Sequence, residues 1–343
     1  MLEAHARRCR FVWAMPVSRI LGIKRHHGAI HNRRRRPSIM SEPAFIAVDW
    51  GTTSFRLWLM SRSGAVLAER RSSEGMTTAM RTGFAEVLQA HLDAIGAPED
   101  LPVLVCGMAG ARQGWVEAGY IDVPASLSSV LDGAVRVPGQ ARDVRILPGL
   151  AQRDKNAPDV MRGEETQLLG ALASSDTGEK LVCMPGTHSK WVTVRDGDVN
   201  GFATFMTGEL FEVISKQTIL SHAVAEAEPF TGQHEDFRAA VLDIYANPQL
   251  ASNRLFTLRS GQLLHGLAAT DAKARLSGIM IGLEIAGAHS TARRETPVVL
   301  IGSGALGALY EGAFTALDIH YTVIDADEAV RRGLLAAATA IWP

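Results

Sequence analysis

The stretch FIAVDWGTTSFRLWLM, residues 45–60, is an apolar run that stops at an acid, passes through a glycine and three hydroxyl residues, and becomes apolar again. Two strand-length runs joined by Gly-Thr-Thr-Ser predict a β-hairpin with Asp49 closing its first strand. A carboxylate at the end of a buried strand is costly unless a cation or strong donors meet it. Gly51 lets the backbone turn and lets a ligand come close. Thr52, Thr53 and Ser54 add hydroxyls and a run of backbone N–H groups, a nest that suits phosphate oxygens. Asp49 would then orient a hydrated Mg²⁺, and Arg56 on the second strand can face the same cleft. The same residues also make an ordinary capped turn. The stretch is not a Walker A loop, because no GxxxxGK[ST] is present.

Outward from this hairpin, the turn SRSG (61–64) leads to a third strand, VLAERRSS (66–73). GFAEVLQAHLDAIG (83–96) has the apolar spacing of a helix with one buried face, ended by Gly96 and Pro98. LPVLVCGM (101–108) and VRILPGL (144–150) read as strands, and GEETQLLGALA (163–173) as a helix with acids in its first turn. The pattern then resets. KLVCMPG (180–186) is strand and turn, and KWVTVRDGDVNGFATFMT (190–207) is two strands around a hairpin turn at RDGD. A helix follows at 208–220, then mostly helix to 295, then strand, glycine turn and helix at 297–314. HYTVID (320–325) is an edge or final strand and ADEAVRRGLLAAATA (326–340) a closing helix. One layout used twice predicts two α/β domains, 41–179 and 180–343, the last helix being free to return to the first.

The chain has 343 residues, 47% hydrophobic and 21% charged, as expected of a soluble globular protein. Its first 40 residues hold ten Lys or Arg against one acid, so the remainder carries a net charge of −10 although the whole stands at −1. This basic extension (1–40) reads as a disordered, dispensable tail. Its RRRR also suits an anionic surface, and Met40 directly before SEPAFIAVDW also fits a misplaced start. No nucleic-acid partner is expected. No charge-free run reaches 18 apolar residues, so no membrane span is expected. Cys9, Cys106 and Cys183 form neither a disulfide framework nor a zinc site, which points to a reducing cytoplasm.

Two further turns share the hairpin's chemistry. MPGTHSKWV (184–192) again breaks a strand at Gly-Thr, placing Gly186, Thr187 and His188 for phosphate and Lys190 near a transferred group. LIGSGALG (300–307) follows a strand and opens a helix, so that Gly302, Ser303 and Gly304 can lie against a nucleoside. Its spacing also satisfies GxGxxG, and Asp325 ends the next strand, so a dinucleotide reading stays open. DVMRGEETQLLG (159–170) offers a base: Glu164, with Glu165 and Asp49 as alternatives, and with Arg162 beside it as an anion contact. CGMAGARQGWVEAGYIDVPA (106–125) is a polar, aromatic, glycine-rich loop in which Arg112 and Gln113 can grip an acidic sugar and Trp115 can wall its carbon face.

Taken in order, AVDWGTTSFRLWL, CGMAGARQGWVEAGYIDVPA, MRGEETQLLGAL, MPGTHSKWV, FMTGELFEVI, LSGIMIGLEI and VLIGSGALGALYEGAF resemble the 2-dehydro-3-deoxygalactonokinase family over about residues 44–340. That resemblance implies the actin/hexokinase/Hsp70 fold: two ribonuclease-H-like domains flanking an ATP and sugar cleft. It implies Mg²⁺ and ATP-dependent phosphorylation of the 6-hydroxyl of 2-dehydro-3-deoxy-D-galactonate, a small sugar acid, with a homo-oligomer possible. Asp49, Gly51, Thr52 and Thr53 match the first phosphate motif, Pro185–Thr187 the second and Gly302–Gly304 the adenosine motif. Related sugar kinases carry Gly-Asp where this chain has Gly163-Glu164, a departure that bears on the base. A kinase for another sugar and a non-catalytic ATP-binding module of the same fold are the competing readings.

Overall fold

The computed structural model describes residues 42–172, 178–290 and 296–343. The basic extension and Cys9 lie outside the described residues. The first half contains β1 (Pro43–Trp50), β2 (Phe55–Ser61), β3 (Val66–Ser72), α1 (Met76–Thr82), α2 (Phe84–Ala94), β4 (Val103–Gly107), β5 (Tyr120–Asp122), β6 (Ala125–Ser126), α3 (Ser129–Asp132), β7 (Val135–Arg136), β8 (Val144–Ile146), β9 (Gly149–Gln152), β10 (Asp159–Met161) and α4 (Glu164–Ala171). The second contains β11 (Glu179–Met184), β12 (Ser189–Arg195), β13 (Asp198–Phe205), α5 (Thr207–Gln217), α6 (Ser221–Val224), α7 (Glu235–Ala246), α8 (Ala251–His265), α9 (Ala269–His289), β14 (Val298–Ile301), α10 (Gly304–Ala316), β15 (Tyr321–Ile324) and α11 (Ala326–Ile341).

β1 is buried from Phe45 to Trp50, on both faces, which is why it reads as a continuous apolar run. It lies between antiparallel β2 and parallel β4 in a sheet ordered β3-β2-β1-β4-β8-β7. β11 sits in the same place in the second sheet, between antiparallel β12 and parallel β14, in the order β15-β14-β11-β12-β13-β6. Each sheet thus has a meander whose first strand is extended in parallel by two more, the ribonuclease-H-like topology. The predicted RDGD hairpin joins β12 and β13, with Asp196 and Gly197 both at positive φ (53° and 87°).

Five layers follow from the pleat. Ala47 and Cys106 of the first sheet and Val182 and Val299 of the second face a shared inner layer made by α4 and α11. Ile46 and Val48 point the other way, onto Phe84, Val87 and Leu88 of α2. Leu181 and Cys183 point outward onto Phe237, Ile281 and Phe314 of α7, α9 and α10. Inside the middle layer, α4 and α11 touch through glycine: a Cβ on Gly170 would stand 1.9 Å from the Ala329 carbonyl oxygen, and one on Gly333 would stand 1.9 Å from that of Thr166.

Both sheets sit in one compact unit. β6, from the first half, pairs with β13 at the edge of the second sheet, and α11 returns from the second half to the first. The predicted strand 144–150 is two strands in different sheets, β8 and β9. Pro148 between them has no N–H for a ladder, so the chain leaves the first sheet there and enters a small third sheet ordered β10-β9-β5. Among the described residues no helix is long and apolar enough to cross a membrane.

Candidate active site

The turns after β1 and β11 open onto one cleft of about 690 Å³, lined from both halves. In the first turn the Gly51 N–H donates to the Ser54 carbonyl (2.9 Å), and the Gly51 and Thr52 carbonyls accept from Met76 and Thr77 at the start of α1 (2.9 and 3.1 Å). The carbonyls are thereby turned away from the cleft, the arrangement an anion-binding nest needs. In the second turn the Gly186 N–H donates to Ser189 Oγ at 3.4 Å, and the Thr187 carbonyl accepts from Glu209 N at 3.1 Å.

Asp49 is only 8% exposed. Burial raises its carboxyl above the usual range, and Arg56, directly opposite on β2, pulls it back. Cys106 Sγ lies 3.8 Å from Asp49 Oδ1; burial holds this thiol, and that of Cys183, well above the ordinary thiol range, so both stay protonated packing groups.

Glu164 begins α4. The turn into it needs Gly163, whose φ of +104° lies in the region that favours glycine. Glu164 Oε2 accepts from the Arg162 N–H at 3.0 Å, and its Oε1 stands 3.7 Å from Lys190 Nζ on β12, so first-half acid meets second-half cation in the cleft. Burial raises the Glu164 carboxyl, and Lys190 opposes that rise. Glu165 has no exposed surface and is not part of the cleft wall. It accepts from the Gly163 N–H (2.7 Å) and the Thr166 hydroxyl (3.0 Å), and burial, reinforced by Glu164, pushes it up to about 8.

The family profile of 2-keto-3-deoxy-galactonokinases matches residues 49–337. The chain belongs to that family. A Rhizobium meliloti (strain 1021) protein named a probable 2-dehydro-3-deoxygalactonokinase is 60% identical over 299 residues, 87% of this chain and 98% of that one. The Escherichia coli (strain K12) 2-dehydro-3-deoxygalactonokinase is 32% identical over 297 residues, again 87% and 98% of the two chains. A Sinorhizobium meliloti crystal structure, described provisionally as the same kinase, superposes with a TM-score of 0.84 at 60% identity, over 87% of this chain and 99% of that one.

Set in this galactonokinase frame, the predicted residues divide. Asp49, Gly51, Thr52, Ser54, Arg162, Glu164, Gly186, Thr187, His188 and Lys190 line the cleft. His188 is paired with Glu209, Nε2 to Oε2 2.5 Å. Thr53 is exposed in the first turn without lining the cleft. Gly302, Ser303 and Gly304 lie outside its walls, at the mouth of α10, where the Ser303 hydroxyl donates to Asp325 Oδ2 at 2.7 Å. In the loop 106–125, Arg112, Gln113 and Trp115 lie outside the cleft walls. Arg112 is 83% exposed and faces Glu117 (3.7 Å), and Gln113 is exposed too. Trp115 is used in packing: its ring stacks on Phe84 (6.0 Å, 12°) and meets Trp50 edge-on, because a large aromatic ring gains most where it completes an apolar cluster.

Sequence reasoning missed several supports. Arg162 lies over the Tyr120 ring at 4.4 Å, and two of its nitrogens, Nε and Nη1, are buried with no hydrogen-bond partner among the described residues. Asp159 of β10 accepts from the Thr204 N–H (2.6 Å) and hydroxyl (2.7 Å) of β13, pinning β10 to the second sheet. Behind the second turn, buried Glu284 accepts from Trp191 Nε1 (2.8 Å) and the Tyr310 hydroxyl (2.7 Å), and Tyr310 in turn reaches Ser189 (3.1 Å). The readable signal was one acid inside the apolar run of α9.

Proposed function

We propose that this chain transfers the γ-phosphoryl group of ATP to the 6-hydroxyl of 2-dehydro-3-deoxy-D-galactonate. The observation that carries the reading is the meeting of Glu164 and Lys190 across a cleft that both Gly-Thr turns enter. A base and a cation there are the two groups that phosphoryl transfer to an alcohol requires.

Asp49 supplies a hard carboxylate oxygen at the cleft wall, a donor that fits Mg²⁺ held through its water shell. Bound there, the ion would offset phosphate charge. The backbone N–H groups of the two turns hold the phosphate chain from opposite sides. Gly302–Gly304 take the nucleoside. Arg162, a cation with no carboxylate partner among the described residues, holds the carboxylate of the sugar acid, while Tyr120 keeps the guanidinium flat. Glu164 accepts the hydroxyl proton as the oxygen attacks phosphorus; burial has already made it a stronger base than an exposed carboxylate. Lys190 stabilises the charge on the transferred oxygens. Closure of the halves excludes water and limits ATP hydrolysis.

The test is ADP release with 2-dehydro-3-deoxygalactonate, compared with the same compound reduced at its carboxylate. The proposal expects release with the acid and little with the alcohol. Release at the no-acceptor background would refute it. Equal rates for acid and alcohol would instead assign a neutral-sugar kinase.

A further inference from the structure

Arg56 stands between two acids. Its Nη2 donates to Asp49 Oδ2 and its Nη1 donates to Asp327 Oδ1. Asp327 lies 271 residues away in sequence, in the first turn of α11. Its other oxygen accepts from Arg71 Nη2 at 2.6 Å. Four charges of alternating sign therefore form one row, Asp49–Arg56–Asp327–Arg71, with its inner end at the cleft and its outer end in solvent. Arg71 is half exposed and is also paired with Glu69.

In such a row each charge sets how firmly its neighbour is held. An anion at 327 draws the Arg56 guanidinium outward and weakens its hold on Asp49; a cation at 71 engages that anion and reverses part of the effect. Arg56 and a divalent cation compete for the same Asp49 carboxylate, so the outer members of the row bear on metal capture without touching it. The entry of α11 also reaches the third turn: Asp325 caps the helix by accepting from Glu328 N (2.9 Å) and accepts from the Ser303 hydroxyl at 2.7 Å. Two acids on one helix start thus tie together the nucleoside turn and the Asp49 partner.

We infer that Asp327 is a positioning residue of this kinase: by sharing Arg56 it keeps Asp49 open to the divalent cation that accompanies the nucleotide, and Arg71 tunes that sharing. The inference rests on Asp49 being the metal-side carboxylate proposed above. Its test is calorimetric binding of ADP to the full chain over a Mg²⁺ titration, for wild type, Asp327→Asn and Arg71→Gln. Asp327→Asn leaves Arg56 to Asp49 alone and should raise the Mg²⁺ midpoint about fivefold. Arg71→Gln frees Asp327 to hold Arg56 and should lower the midpoint. A variant that merely loosened the fold would move both in one direction. Opposite shifts support the inference; unshifted midpoints or shifts of the same sign overturn it. Should Asp327→Asn fail to fold, a midpoint in Arg71→Gln at or above wild type overturns it alone. ADP binding that ignores Mg²⁺ in the wild type would remove the reading of Asp49 as well.

Discussion

Replacing Glu165 by glutamine should change how stability depends on pH more than it changes the fold. Glu165 is fully buried and holds the turn that aims Glu164. Burial and the neighbouring acid raise its pKa from 4.5 to about 8. A carboxyl raised in the folded state binds a proton that the unfolded chain has released, so stability falls as pH climbs from the unfolded value towards the folded one. Between pH 6 and 9 the loss is roughly 3 kcal/mol at most, from about 1.4 kcal/mol per pH step with the folded group itself ionising near the end. For a chain of this size that is about 4 °C in Tm. The glutamine amide keeps a carbonyl oxygen for the Gly163 N–H and has no acidic proton to lose. Scanning calorimetry from pH 6 to 9 should therefore show a wild-type Tm falling about 4 °C further than that of Glu165→Gln. Parallel Tm profiles would mean that Glu165 carries no unusual proton, and the argument would fail.

Glu164→Gln should cut kcat by about two to four orders of magnitude while calorimetric ADP affinity stays near wild type, and unchanged turnover would remove Glu164 from the base role. Arg162→Gln should raise KM for the sugar acid at least about tenfold with KM for ATP unchanged, whereas Arg112→Gln, exposed beside Glu117, should leave both alone in steady-state assays. Gly333→Ala should cost about 2–3 kcal/mol in a denaturant titration, since its methyl would fall 1.9 Å from the Thr166 carbonyl oxygen and neither backbone can yield cheaply.

What could be read from sequence was whatever local chemistry declares. A strand, Gly-Thr and a strand, met twice, declared the paired meanders, since turn residues and apolar period act over a few positions. Asp49 was legible because a charge at the end of an apolar run needs a reason, Glu164 because it follows a glycine at a helix start, and Lys190 because it follows the second Gly-Thr turn. The place of Arg112 was not legible, because a cation in a glycine-rich loop looks alike whether it faces a ligand or an acid such as Glu117. Asp327 was hidden for the opposite cause: an acid in the first turn of a helix is already accounted for by the helix dipole, and nothing nearby announces an arginine 271 residues upstream. Trp115 and the break at Pro148 belong with these. Which cluster a ring completes, and which sheet a strand joins, are decided by distant partners.

The return of α11 has a consequence for the newborn chain. Ala47, Trp58, Leu104 and Cys106 are covered on one side by residues 329–338, which leave the ribosome after every strand of both sheets. Until they emerge, the first sheet carries a bare greasy flank, and the β6 segment waits for an edge not yet synthesised. The N-terminal half therefore cannot mature ahead of the rest, as a free-standing module would. Loss of the 16 residues of α11 should ruin the part of the enzyme that was translated long before them.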